Sequence, residues 1–95
     1  MQAAAVRIEL RVPESRSLKA KRAALRPLLA RLEAMNVGVS EVAAQDAWQK
    51  AVIGVAVVAP RLHRLEQIVE AVKRVLYADP RLEVVSVTVS HLESP

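Results

Sequence analysis

Along this chain the spacing of apolar residues twice changes from a period of two to a period near 3.6 and back, and that succession leaves few folds open. Ala3 to Val12 alternates, with Val6, Ile8, Leu10 and Val12 on one side and Arg7, Glu9 and Arg11 on the other. This is the mark of a half-buried strand. Pro13 breaks the run, and Ser17 is a natural N-cap for the next element. Leu18, Leu25, Leu28, Leu29, Leu32 and Met35 recur at helical spacing. Residues 18–35 are therefore expected to form an amphipathic helix, kinked or shifted where Pro27 removes a backbone donor. Val37 to Ala44 reads as a second strand, entered through the turn residues Asn36 and Gly38, and Gln45-Asp46-Ala47 as a short hairpin turn.

Trp48 to Ala59 is a β-rich run that is apolar on both faces. Pro60 suits the first turn of a second helix, whose stripe is Leu62, Leu65, Ile68, Val69, Val72, Val75 and Leu76. Asp79-Pro80 stops that helix, and Leu82 to Leu92 closes the chain as a Val-rich strand. The resulting order, β-α-β-β-α-β, predicts an α+β ferredoxin-like domain over 1–95. Its four-stranded antiparallel sheet has order 4-1-3-2, with both helices on one face. A single domain of 95 residues buries roughly two-thirds of its surface, enough for a core without staples.

With both helices on one side, the other sheet face is left for solvent or a partner. Arg7, Glu9 and Arg11 fall on it from the first strand and Ser86, Thr88 and Ser90 from the last. The third strand adds Lys50, Val52, Gly54, Ala56 and Val58. An apolar ridge beside charges makes this face, or an edge strand, a candidate for pairing of copies.

Composition removes several chemistries. There is no Cys, so disulfides, thiolate metal sites and Cys nucleophiles are excluded. The longest uncharged apolar stretch, Ala51 to Ala59, is far too short to cross a bilayer, and a charge at Arg7 comes too early for a secretory signal. A cytoplasmic protein without membrane contact is expected. The two histidines, His63 and His91, lack ligands at metal spacing and an arrangement for nucleophilic catalysis, so no metal, cofactor or enzymatic activity is expected. Arg outnumbers Lys ten to four, which suits a GC-rich or thermophilic source.

Charge is unevenly distributed. The formal net charge is +4, but residues 1–40 carry eight basic and three acidic side chains, and residues 41–95 six and seven. Arg16, Lys19, Lys21, Arg22, Arg26 and Arg31 follow one another with no acid between them. Such a patch attracts phosphates or acidic surfaces, although a solvated helix face has the same composition. On a helical wheel Lys19, Arg22 and Arg26 share an outward face, whereas Lys21 falls among Leu25, Leu28 and Leu32. Its ammonium must either snorkel out or meet a carboxylate such as Asp46 or Glu41.

Known modes of phosphate and RNA recognition on this topology are only partly met. Base stacking by RNA-recognition motifs needs aromatic residues on the first and third strands, and there is no Phe or Tyr there. No GxxG loop exists for backbone clamping. The loop Pro13-Glu14-Ser15-Arg16-Ser17 has no glycine, which argues against an acylphosphatase-like loop. Arg16, Ser17 and the N–H groups of residues 18–20 still offer a small anion site. Trp48, the single Trp, lies in the polar cluster Gln45-Asp46-Ala47-Trp48-Gln49, either as an anchor for the sheet end or as a stacking platform.

Ser17-Leu18-Lys19-Ala20-Lys21-Arg22, then Glu41-Val42, Gln45-Asp46-Ala47-Trp48-Gln49 and Gly54 fit the pattern SLKxKR followed by EV..QDxWQ….G. In these residues the chain resembles the YlxP-like bacterial proteins, a domain-of-unknown-function family, over essentially its whole length. Asn36-Val37-Gly38-Val39-Ser40-Glu41 closely fits a further segment, NVSVAEV. The resemblance implies a ferredoxin-like fold and a gene often found beside those for translation initiation factor two and ribosome-binding factor A. It implies no catalytic residue or cofactor, and leaves the motif positions Lys21, Gln45, Asp46 and Gln49 without a role.

Three functional expectations follow. The first is a non-enzymatic RNA- or ribosome-associated module using Arg16, Lys19, Arg22 and Arg26 on phosphates, with Trp48 stacking. The second is a homo-oligomeric interaction protein pairing through the open sheet face or an edge strand. The third is a small anion-binding or hydrolytic site at the start of the first helix.

Overall fold

The structure is a computed structural model and describes residues 1–92; the last three positions of the domain expected over 1–95 lie outside the described residues. Six elements occur in the expected order: β1 (Gln2–Arg11), α1 (Leu18–Glu33), β2 (Gly38–Ala43), β3 (Lys50–Ala59), α2 (Leu62–Tyr77) and β4 (Glu83–Leu92). The strands form one antiparallel sheet in the order β2-β3-β1-β4, the ferredoxin-like arrangement expected from the pattern.

The alternation in β1 becomes packing directly. Ala4, Val6, Ile8 and Leu10 meet Ala51, Ile53, Val55, Val57 and Ala59 of β3 in the helix-facing layer, all buried. Leu25, Leu28 and Leu32 of α1 and Leu65, Val69, Val72 and Leu76 of α2 close that layer from above. α1 lies over β2, while α2 lies over β3, β1 and β4. The basic helix is thus set toward one edge of the sheet, and β4 forms the other.

Several boundaries differ from the sequence expectation, the larger ones where the backbone turns. α1 ends at Glu33, not residue 35, because Asn36 adopts a left-handed φ of 59° and the N–H groups of Met35 and Asn36 fold back onto Leu32 and Glu33. β2 is correspondingly shorter, starting at Gly38 and ending at Ala43. β3 starts at Lys50, not Trp48, since Ala44–Gln49 forms a wider loop closed by the Ala47 N–H on the Ala44 carbonyl at 3.0 Å. Pro60 precedes α2 instead of entering it. Arg61 is the cap, and its carbonyl accepts the first helical bond from Leu65.

The open face of the sheet is graded along its length. Arg11, Lys50 and Glu83 form one cross-strand row, and Ala3, Val58 and Leu92 the row at the opposite end. Arg7 donates to Glu9 at 2.8 Å, and this bond, more than the nearby Lys50 charge, holds the Glu9 carboxyl below its ordinary value. Val52, assigned to the exposed face from alternation, does point there but is buried. It lies between Glu9 of β1 and Ala43 at a bulge in β2. That bulge sets Val42 over Gly54: a Cβ at position 54 would sit 2.8 Å from a Val42 methyl, so the close approach requires glycine.

After α2, Asp79 accepts the Arg81 backbone N–H at 3.0 Å and the guanidinium at 2.9 and 3.1 Å. These bonds pull the Asp79 carboxyl down from 3.8 to about 2. A depressed carboxylate stabilises the fold above its unfolded pKa, and the contribution vanishes as pH falls from about 4 through about 2. Arg81 is more than half exposed, so solvent screens the pair and its contribution is small. Asp79→Asn is expected to lower stability near neutral pH and to match wild type near pH 2, as thermal unfolding across pH 2–6 will show; a gap independent of pH would contradict this assignment.

Candidate nucleic-acid interface

α1 begins where Ser17, extended at φ −164° and ψ 164°, accepts the Ala20 N–H on its Oγ at 3.0 Å. This cap uses one of the three N–H groups expected to be free for an anion, leaving Leu18 and Lys19. The first turn has no acid, and Arg16 and Lys19 stand at the positive end of the helix dipole.

The azimuth of α1 is set by Lys21. Its side chain is 1% exposed, the largest fully buried one among the described residues, and its ammonium reaches across to the β2–β3 loop. There Nζ donates to the carbonyls of Ala44 at 2.9 Å, Lys50 at 3.2 Å and Gln45 at 3.3 Å, and to Glu41 Oε1 at 3.3 Å. Of the two carboxylates expected as partners, Glu41 is therefore the one used, and Asp46 stays exposed. Ala44 takes a left-handed φ of 59° in this loop, a conformation that non-glycine residues adopt at a cost. Every donor of Lys21 is committed inside the fold, so it is a pin between helix and loop and is not open to a partner.

A second tie holds the same corner. Gln49 Nε2 donates to the Ser15 carbonyl at 3.1 Å, and the Gln49 carbonyl accepts the Val12 N–H at 2.9 Å. Ser15 is buried and donates its hydroxyl to the Ser17 carbonyl at 3.0 Å. The Gln45 side chain makes only an exposed contact, donating Nε2 to the Glu41 carbonyl at 3.4 Å. Lys21 and Gln49 are thus structural, whereas Trp48, on the loop they secure, is 57% exposed. Its side chain is not a buried anchor for the sheet end, and the neighbouring Gln49–Ser15 bond ties its loop to the segment that carries Arg16 and Ser17.

With Lys21 turned inward, its neighbours must turn outward. Lys19, Arg22 and Arg26 are exposed, at i, i+3 and i+7 on one helix face, as is Arg16 before the cap. None of the four has a carboxylate within 4.0 Å among the described residues, and neither has Arg31. Pro27 lies beside them. The helix runs through it as one element because Ala23, whose carbonyl loses its partner, is also exposed and can be hydrated. Pro27→Ala should restore that bond and raise stability by about 1–2 kcal/mol, less than the full helix-propensity difference because Pro also restricts the unfolded chain. A denaturant midpoint no higher than wild type would show that the ring costs α1 nothing.

Sequence reasoning missed the carbonyl partners of Lys21, since backbone carbonyls leave no mark in a sequence. It also missed the Asp79–Arg81 clamp, for which the acid-Pro-base spacing was the available signal. Among the described residues no cluster of three metal-ligating side chains occurs, and no helix is long and apolar enough to cross a membrane.

Comparison with known proteins agrees with the fold and with the family resemblance. Two solved de novo designs are similar in structure. Foldit4 has a TM-score of 0.50 at 17% identity, covering 98% of this chain and 99% of that one. LFR1 1, designed with a ferredoxin fold, gives 0.53 at 10% identity, covering 97% and 84%. At these identities the likeness concerns the fold alone. In sequence the chain is 35% identical over 68 residues to the uncharacterized protein YlxP of Bacillus subtilis (strain 168), covering 70% of this chain and 74% of that protein. The family described as "Protein of unknown function (DUF503)" matches residues 3–89, and with its motif residues placed on this fold the chain belongs to that family.

Proposed function

We propose that this protein is a non-enzymatic module that binds structured RNA or a ribosomal particle through the outward face of α1. The observation that carries the reading is the set of four exposed cations, Arg16, Lys19, Arg22 and Arg26, none with a carboxylate partner among the described residues. Unpaired guanidinium and ammonium groups on a rigid helix neutralise phosphates without first breaking internal ion pairs. Trp48 supplies an exposed ring at the same corner on which an unpaired base can stack. The small anion or hydrolytic site at the helix start is the weaker reading, because Ser17 already takes the Ala20 N–H.

Co-sedimentation with ribosomal subunits tests the proposal. Wild type is expected to pellet with the particles at low salt, and Lys19→Glu/Arg22→Glu/Arg26→Glu to remain in the supernatant while unfolding at a similar temperature. Equal pelleting of both proteins, or of neither, contradicts it. Pairing of copies is a second reading, favoured by the exposed Val42, Val58 and Leu92 on the open sheet face and by the uncovered β4 edge.

A further inference from the structure

The two edges of the sheet are protected very differently. β2 has six residues, contains Glu41 and is broken by the bulge before Ala43. β4 has ten residues, and from Val84 to Ser90 it carries no charge and no Pro. A long, uncharged edge presents a row of unpaired N–H and C=O groups, which proteins ordinarily blunt or cover. The one irregularity in β4, the register shift opposite Glu9 and Leu10 that leaves Val85 as the extra residue, lies near its start, so Ser86 to Leu92 stays regular against β1.

That regular stretch is self-complementary. Ser86-Val87-Thr88-Val89-Ser90 reads the same in both directions about Thr88. Val87 and Val89 pair with Ile8 and Val6 and face the helix layer, where they are only partly buried. Ser86, Thr88 and Ser90 pair with Glu9, Arg7 and Ala5 and face the open side. We propose that β4 pairs antiparallel with β4 of a second copy of this chain about a two-fold axis at Thr88, joining two sheets into one of eight strands. In this register Val87 lies opposite Val89, Ser86 opposite Ser90, and Thr88 opposite its own copy. These are β-branched and hydroxyl pairs, both favourable across strands. The contact is isologous, as a closed dimer requires. Charge permits it, because the basic helix lies over β2 at the far edge and is kept away from its copy.

Sedimentation equilibrium on the full chain tests the pairing. Wild type is expected to be a dimer at tens of micromolar, and Thr88→Lys, which sets like charges face to face at the axis, to weaken the dimer about tenfold or more. Circular dichroism and thermal unfolding of the variant confirm that its fold is kept. Mixing Thr88→Lys with Thr88→Glu is expected to restore a heterodimer, because only a two-fold at this residue sets position 88 opposite itself. Three results overturn the proposal. They are a wild type that stays monomeric at several hundred micromolar, a mixture that fails to associate, and a dimer lost in Ala56→Lys on the open face but retained in Thr88→Lys.

Discussion

Lys21→Met is expected to destabilise the domain by about 3–5 kcal/mol, the usual result of removing one partner from a buried ionic cluster. In a chain of this size that lowers the melting temperature by more than about 12 °C. Methionine keeps the length and apolar character of the stem, so the buried volume is largely preserved. What it removes is the ammonium shared by the carbonyls of Ala44, Gln45 and Lys50 and the Glu41 carboxylate; of these, Ala44 keeps the Ala47 N–H. Glu41→Gln is the matched comparison. Glu41 is 20% exposed and supplies one of four acceptors, so its neutral isostere should cost only about 1 kcal/mol. Chemical denaturation of both variants checks the ordering. A Lys21→Met variant within 1 kcal/mol of wild type, or a larger loss in Glu41→Gln, would contradict the assignment of Lys21 as the pin between α1 and the β2–β3 loop.

The second large effect concerns salt. Neutralising four to five phosphates releases their condensed counterions, giving a slope of log K against log salt of about −3 to −5. Between 50 and 200 mM salt the affinity should then fall roughly 60- to 1,000-fold. Arg16, Lys19, Arg22 and Arg26 account for four of these contacts. The triple Glu variant should lose both the binding and the slope. Trp48→Ala should weaken binding with the slope unchanged, because a stacking ring neutralises no phosphate.

The two effects are linked through one helix. Lys21 faces inward to the carbonyl cage, and a turn of 100° per residue carries the flanking Ala20 and Arg22 to either side of it. Loosening the pin in Lys21→Met therefore loosens the platform from which Lys19, Arg22 and Arg26 are presented.

The fold could be read from the sequence because each element announces itself by period: Val6, Ile8 and Leu10 by alternation, Leu25, Leu28 and Leu32 by helical return. The order of elements then permits few arrangements. The outward direction of Lys19, Arg22 and Arg26 was legible for the same reason, since it follows from helical geometry alone. For Lys21 the sequence leaves open whether the ammonium snorkels out or meets a carboxylate such as Glu41 or Asp46. The choice depends on how the Ala44–Gln49 loop closes, and that closure rests on a left-handed Ala44 and on backbone carbonyls. Alternation places Val52 on the correct face but leaves its burial unseen, because it gives the direction of a side chain and says nothing of what neighbouring strands lay over it. Trp48 fell outside β3 because the polar loop around it is held by Gln49 and Lys21, contacts that join residues more than 25 positions apart.

The most direct test of the central claim, that α1 presents a phosphate-binding face, is the salt dependence of binding to ribosomal subunits by wild type and the Lys19→Glu/Arg22→Glu/Arg26→Glu variant. A log–log slope of about −3 to −5 for wild type, absent in the variant, is the expected result. A flat dependence, or the same slope in both proteins, would contradict it and leave α1 as a solvated face.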